Sequence, residues 1–150
     1  MQLPVSALDG DVARLVHRLA YAGLIPFVVL ALLMWLVAGD VHAFVAMALS
    51  AYAATIAAFL GGIHWGMGLP LDAPQRRFHL VWGVMPSLVA WVALLMPAYA
   101  GLPLLALLLV VCYGVDRRTW PAWGWAAWLP LRFRLTSVAV LSCLFGASAT

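Results

Sequence analysis

The chain contains no lysine and no glutamate. Its eight basic residues are all arginine and its five acids are all aspartate, leaving a formal net charge of +3 over 150 residues. Charged residues make up 9% and apolar residues 67% of the sequence, against roughly a quarter and roughly a half in soluble domains. A soluble core of this length could not hide so much apolar surface, because a small domain leaves much of itself exposed; the solvent implied is lipid. The basic balance does not point to nucleic acid, because the arginines sit beside apolar runs. Only two cysteines are present. Cys112 and Cys143 both lie inside apolar runs, where a free thiol behaves as a small hydrophobe, so no disulfide framework or redox centre is expected. There is no G-x-S-x-G, no H-E-x-x-H, no phosphate loop, no C-x-x-C-H and no inverted repeat. No acid or arginine falls in the middle of an apolar run, which argues against a proton-coupled transporter or channel. The protein is expected not to be an enzyme, and no metal site is expected.

What is present is a series of apolar stretches of membrane-crossing length, about 20 residues each at 1.5 Å per residue. Five spans are expected, at about 19–38, 42–66, 79–96, 102–115 and 131–149, forming one all-α membrane domain over 1–150. Residues 1 to 8 read as a loose tail, with Asp9 or Asp11 as a helix cap. The start lacks the basic leader and short apolar core of a secretory signal and reads as retained. Val12, Leu15, Val16 and Leu19 recur at helical spacing around Arg14 and Arg18, the pattern of an amphipathic lead-in. Pro26 and Pro86 fall inside the first and third spans, where each removes a helix hydrogen bond. The fourth span is expected to be short, ended by Asp116–Arg117–Arg118. Trp120, Trp123, Trp125 and Trp128 follow within nine residues and read as an interfacial segment, because an indole ring favours headgroup depth.

The second span is the expected hub. Small residues fill one side of it (Ser50, Ala54, Ala58, Gly61, Gly62), the composition that lets membrane helices pack closely. With five spans, all eight arginines fall on one side. The positive-inside rule then places the N-terminus in the cytoplasm and the C-terminus outside, in the periplasm of a bacterial inner membrane.

Three groups could carry chemistry. His64, at the end of the hub, and His79, at the start of the third span, lie at like depth, with Trp65 beside them. Such a pair could ligate a haem or a pigment metal, or bracket a quinone or lipid head. The bland alternative is interfacial histidines bonded to carbonyls or lipid phosphate. The arginines Arg76, Arg77, Arg117, Arg118, Arg132 and Arg134, with the four tryptophans, form a candidate lipid- or partner-binding face; equally, they could only set topology, with Arg132 and Arg134 snorkelling to the headgroups. Asp116 is expected to pair with one of the arginines or to cap the following turn. Tyr52 and Thr55 read as interhelical hydrogen-bond partners.

The stretches FLGGIHWG (Phe59 to Gly66), MPSLVAW (Met85 to Trp91), YGVDRR (Tyr113 to Arg118) and LRFRLT (Leu131 to Thr136) occur in that order. Together they resemble the transmembrane protein 69 family, a domain of unknown function of bacteria and mitochondria. The resemblance implies a five-helix inner-membrane protein and transfers no activity, cofactor or catalytic residue. Two functions are carried forward. The first is a non-catalytic accessory or assembly subunit docked on a larger energy-transducing complex, respiratory or photosynthetic. The second is a binder of quinone, haem, pigment or lipid at the His/Arg/Trp cluster.

Overall fold

The computed structural model describes residues 10–150; the expected tail at 1–8 and the cap at Asp9 lie outside them. Seven α-helices follow one another: α1 Gly10–Ala22, α2 Ile25–Leu36, α3 Asp40–Gly68, α4 Arg76–Trp82, α5 Met85–Leu94, α6 Ala98–Thr119 and α7 Leu129–Ala147. Two short 3-10 turns, Trp120–Trp123 and Ala126–Trp128, join α6 to α7. Among the described residues, five runs are long and apolar enough to cross a membrane: Gly10–Leu36, Asp40–Gly68, Arg76–Leu94, Ala98–Trp123 and Ala126–Ala147.

Seven helices make five runs because two runs are broken by proline. A proline at position i has no N–H for the carbonyl at i−4. Pro26 thereby strands Ala22, where α1 ends, and Pro86 strands Trp82, where α4 ends. At the first break the Tyr52 hydroxyl donates to the Gly23 carbonyl at 2.6 Å, so a neighbouring helix satisfies the loosened backbone. Thr55 does not reach across as expected. Its hydroxyl bonds the Tyr52 carbonyl of its own helix from an exposed position.

α3 is the hub and touches α2, α4, α5, α6 and α7. Its inner stripe runs Leu49, Ala53, Ala57, Leu60, His64, Met67, all buried, at the steps of three or four that keep one face of a helix inward. Ser50, Ala54 and Gly61 are buried as expected and Ala58 is half-buried, but Gly62 is not a packing residue. It is exposed, and a Cβ placed on it would meet nothing within 4 Å. The fourth span is not short: α6 runs 22 residues, through Asp116–Arg117–Arg118. α1 carries no buried residue and lies against the start of α7, with His17 packed on Trp128 and Arg134 donating to the Tyr21 hydroxyl at 3.4 Å.

At one end of the bundle, Trp35 donates to the Phe145 carbonyl at 3.2 Å and His42 to the Ala149 carbonyl at 3.1 Å. At the opposite end the close of α3 and α6 meets the start of α4 and α7, and every arginine belongs to that end.

Candidate functional site

At the arginine-bearing end, α3 and α4 approach within backbone contact. A Cβ on Gly61 would stand 2.4 Å from the Gly83 carbonyl oxygen, and one on Gly83 would stand 2.2 Å from the Trp65 ring. Only glycine fits either position. His64 lies one turn beyond Gly61 and His79 one turn before Gly83, so this contact brings the two imidazoles together. Their Nδ1 atoms are 2.9 Å apart, and the rings stack with centroids 5.1 Å apart.

The chain of bonds continues through two more helices. His64 Nε2 lies 2.8 Å from Asp116 Oδ1 on α6. Arg132 on α7 donates from Nε to Asp116 Oδ2 at 2.9 Å and from Nη1 to the Thr136 hydroxyl. All five residues are buried; His64 and His79 are each 1% exposed, Asp116 2% and Arg132 7%. An ionised Asp116 only accepts, so the proton on His64 Nε2 belongs between them. Between the two Nδ1 atoms one nitrogen donates and the other accepts. Either His79 donates to a neutral His64, or an imidazolium at His64 donates to His79. The two forms differ by one proton.

This geometry corrects several expectations. His64 and His79 do meet, bonded to each other; both nitrogens of His64 have partners, so an iron at His64 would have to displace His79 or Asp116. Trp65 is exposed and packs beside Gly83, outside the network. Arg132 does not snorkel; it is buried in an ion pair. Asp116 and Arg132 lie near the ends of their helices rather than mid-span, yet both are buried. Asp116 does pair with an arginine, as one of its two expected roles required. Among the described residues, no group of three His, Cys, Asp or Glu is placed to hold a metal.

The signal for Asp116 and Arg132 was periodicity. Leu102, Leu105, Leu109, Cys112 and Asp116 form the buried stripe of α6, and Arg132, Thr136, Ala139, Cys143 and Gly146 that of α7. Each charge occupies the next inward position of an apolar face.

The tryptophan segment sits where expected, before the last helix, but two of its indoles are not at the surface. Trp120 and Trp123 are buried and pack with Met67 in a second apolar cluster, flanked by Trp125 and Trp128. Trp123 meets His79 edge-on with centroids 5.8 Å apart. The segment therefore folds back over the polar network and plugs that end of the bundle. Of the remaining arginines, Arg76 is half-buried and donates to the Gly68 carbonyl at 3.1 Å, while Arg77, Arg117, Arg118 and Arg134 are exposed.

Beside the network lie two adjoining cavities of about 390 and 320 Å³. They share Val16 and Ala20 of α1, Phe59 and Leu60 of α3, and Arg132 and Leu135 of α7. The larger extends along Phe27, Leu109 and Ala139; the smaller is walled by Trp120, Trp125 and Trp128. Among the described residues, three buried donors have no partner: Arg132 Nη2, Trp120 Nε1 and Trp123 Nε1. Two of these residues, Arg132 and Trp120, line the smaller cavity.

Five apolar helical runs around a polar knot at one end define an integral, multi-pass membrane protein. The chain belongs to the family described as "Protein of unknown function (DUF3429)", which matches residues 12–148. It is similar to "Transmembrane protein 69" of Xenopus tropicalis, with 40% identity over 131 residues, covering 83% of this chain and 50% of that protein. The chain thus spans about half the length of this curated relative. No solved structure matches it. The resemblance read from FLGGIHWG and YGVDRR is to this family, and these motifs supply Gly61, His64 and Asp116.

Proposed function

We propose that this protein binds a lipid-soluble small molecule in the cleft formed by the two cavities, with the polar end of the molecule at Arg132. One observation carries the reading: two adjoining cavities lined almost wholly by apolar side chains meet at Arg132, the charged residue that lines both. The combined cavity is of the size of small-molecule sites, about 300–1,000 Å³, and like them is apolar with a few polar groups. The function is binding rather than catalysis, and the membrane is the bacterial inner membrane, with the arginine-rich end facing the cytoplasm. The reading as an accessory subunit of an energy-transducing complex rests on exposed apolar faces, which acyl chains cover equally well.

The test is extraction. Protein purified from native membranes in mild detergent is expected to carry one amphiphile enriched over bulk lipid, found by mass spectrometry of the organic extract. Leu135→Trp, which fills the shared part of the cleft without touching the hydrogen-bonded network, is expected to remove it. An extract identical to bulk membrane lipid would overturn the proposal.

A further inference from the structure

We propose that the paired imidazoles of His64 and His79 form a proton-binding site, which loads one proton from water at the arginine-bearing end and passes its charge inward to Asp116. The inference rests on the hydrogen-bonded network and is independent of what the cleft holds.

Counting protons carries it. The Asp116 carboxylate is paired with the Arg132 guanidinium at 2.9 Å, so it is ionised and only accepts. The proton between it and His64 therefore sits on His64 Nε2. In the neutral pair His64 Nδ1 is then bare, and His79 Nδ1 donates across the 2.9 Å gap. A neutral imidazole carries one N–H, so His79 Nε2 is bare as well. Among the described residues nothing bonds that nitrogen, and it is not one of the enclosed unpartnered atoms, which are Trp120 Nε1, Trp123 Nε1 and Arg132 Nη2. The 1% of its surface that His79 keeps thus includes Nε2. The free lone pair of the network stands at the point a water molecule touches.

Loading forms an N–H at His79 Nε2 with a proton from hydronium, which leaves as water. The N–H at His79 Nδ1 breaks as its proton crosses to His64 Nδ1, where a new N–H forms. His79 ends neutral with its N–H at Nε2, and His64 ends as an imidazolium against the Asp116 carboxylate. One proton is gained, and the bond between the rings persists with donor and acceptor exchanged. A second proton has no place, because both Nδ1 atoms would then carry hydrogen across one gap between two stacked cations. Inward the chain ends at Arg132, which does not release a proton. Charge that enters at His79 leaves by His79, so the site is a store with one mouth.

The neighbouring charges set its strength. Asp116 on α6 favours loading and Arg132 on α7 opposes it. On α4, Arg76 lies one turn before His79 and is bonded to the Gly68 carbonyl, while Arg77 is exposed. On α6, Cys112 is buried one turn before Asp116, Tyr113 packs on Phe133, and Arg117 and Arg118 are exposed. Asp72 in the loop and Arg134 on α7 are also exposed. Neither α5 nor the tryptophan segment carries a titratable side chain.

The experiment follows the ring nitrogens by NMR in the full chain, with isotope-labelled histidine, in lipid nanodiscs from about pH 8 down to about pH 5, where histidine titrates. His17→Gln and His42→Gln identify the two rings outside the network. At the basic end His64 is expected to be protonated at Nε2 alone and His79 at Nδ1 alone. On acidification both rings are expected to change with one shared midpoint, the new N–H appearing at His79 Nε2. Arg132→Gln removes the opposing cation and is expected to tighten loading about tenfold or more, the usual effect of one nearby charge. Should that variant not fold, the unaltered chain decides alone. A proton already on His79 Nε2 at the basic end, separate midpoints for the two rings, or no change at either ring would overturn the proposal. Liposomes containing the protein and an entrapped pH dye are expected to leak protons no faster than empty ones; a faster leak would overturn the single mouth.

Discussion

Asp116 is the residue on which the polar knot turns, because it joins the histidine pair, through His64, to Arg132. Replacing it by Asn leaves Arg132 buried without a counter-charge. The expected loss is about 3–5 kcal/mol, the range for breaking one side of a buried pair, seen as a lowered melting temperature in detergent. The double variant Asp116→Leu with Arg132→Met removes both charges and is expected to restore most of that stability, since apolar replacements of buried pairs are often neutral. It should not restore ligand binding, which separates the structural role of Arg132 from its role in the cleft. A double variant no more stable than Asp116→Asn would show that the pair is held for more than charge balance. His79→Phe removes one hydrogen bond and His64→Phe removes two, so the second is expected to melt at the lower temperature. The histidine pair was legible in the sequence, because two histidines bracketing one short loop must end at like depth. Arg132 was not legible from its type: an arginine at the entrance of an apolar run usually snorkels. Only its place four residues before Thr136 on an inward stripe distinguishes it from exposed Arg134.

At the scale of the element, α3 and its contact with α4 bring the site together. Gly61→Ala forces a Cβ to 2.4 Å from the Gly83 carbonyl, so the helices must part. The expected cost is about 1–3 kcal/mol, as for overpacking elsewhere, with a further loss at the His64–His79 bond one turn away. Gly62→Ala has open space around it and is expected to leave the melting temperature unchanged or raise it slightly, since alanine is the better helix former. The two adjacent variants, compared in one melting series, test whether α3 meets α4 through the predicted face or through its neighbour; equal loss from both would contradict this packing. Adjacent helical residues point about 100° apart, so Gly61 and Gly62 cannot serve one seam, and composition alone does not choose between them. The breaks at Pro26 and Pro86 were legible, because they follow from proline's missing N–H. The length of α6 was not. Asp116–Arg117–Arg118 looks like a helix end, yet Asp116 finds its partners inside the bundle and the helix continues to Thr119.

At the scale of the whole molecule, five helical runs of crossing length were legible because lipid permits few alternatives: a spanning segment must be helical, and its length is set by the bilayer. The inward fold of the tryptophan segment was not, because an indole suits both a headgroup layer and a packed plug, and only the tertiary neighbours Met67 and His79 decide. The arginine asymmetry carries a physical consequence for orientation. Eight guanidinium groups belong to one end, while Asp40 lies at the start of α3, at the other end. Arginine-bearing loops resist translocation, so that end is expected to stay in the cytoplasm. Asp72 sits in the loop between α3 and α4, at the arginine-rich end, and Thr150 follows α7 at the opposite end; both are exposed. The native thiols of Cys112 and Cys143 are buried and give little background. In spheroplasts of a bacterial host, a membrane-impermeant maleimide is therefore expected to label Thr150→Cys at once and Asp72→Cys only after lysis. The reverse pattern would refute the orientation while leaving the fold intact. Labelling of both in sealed spheroplasts would be the graver result, because it would place both ends of α7's bundle on one side of the membrane and deny that the number of crossings after Asp72 is odd.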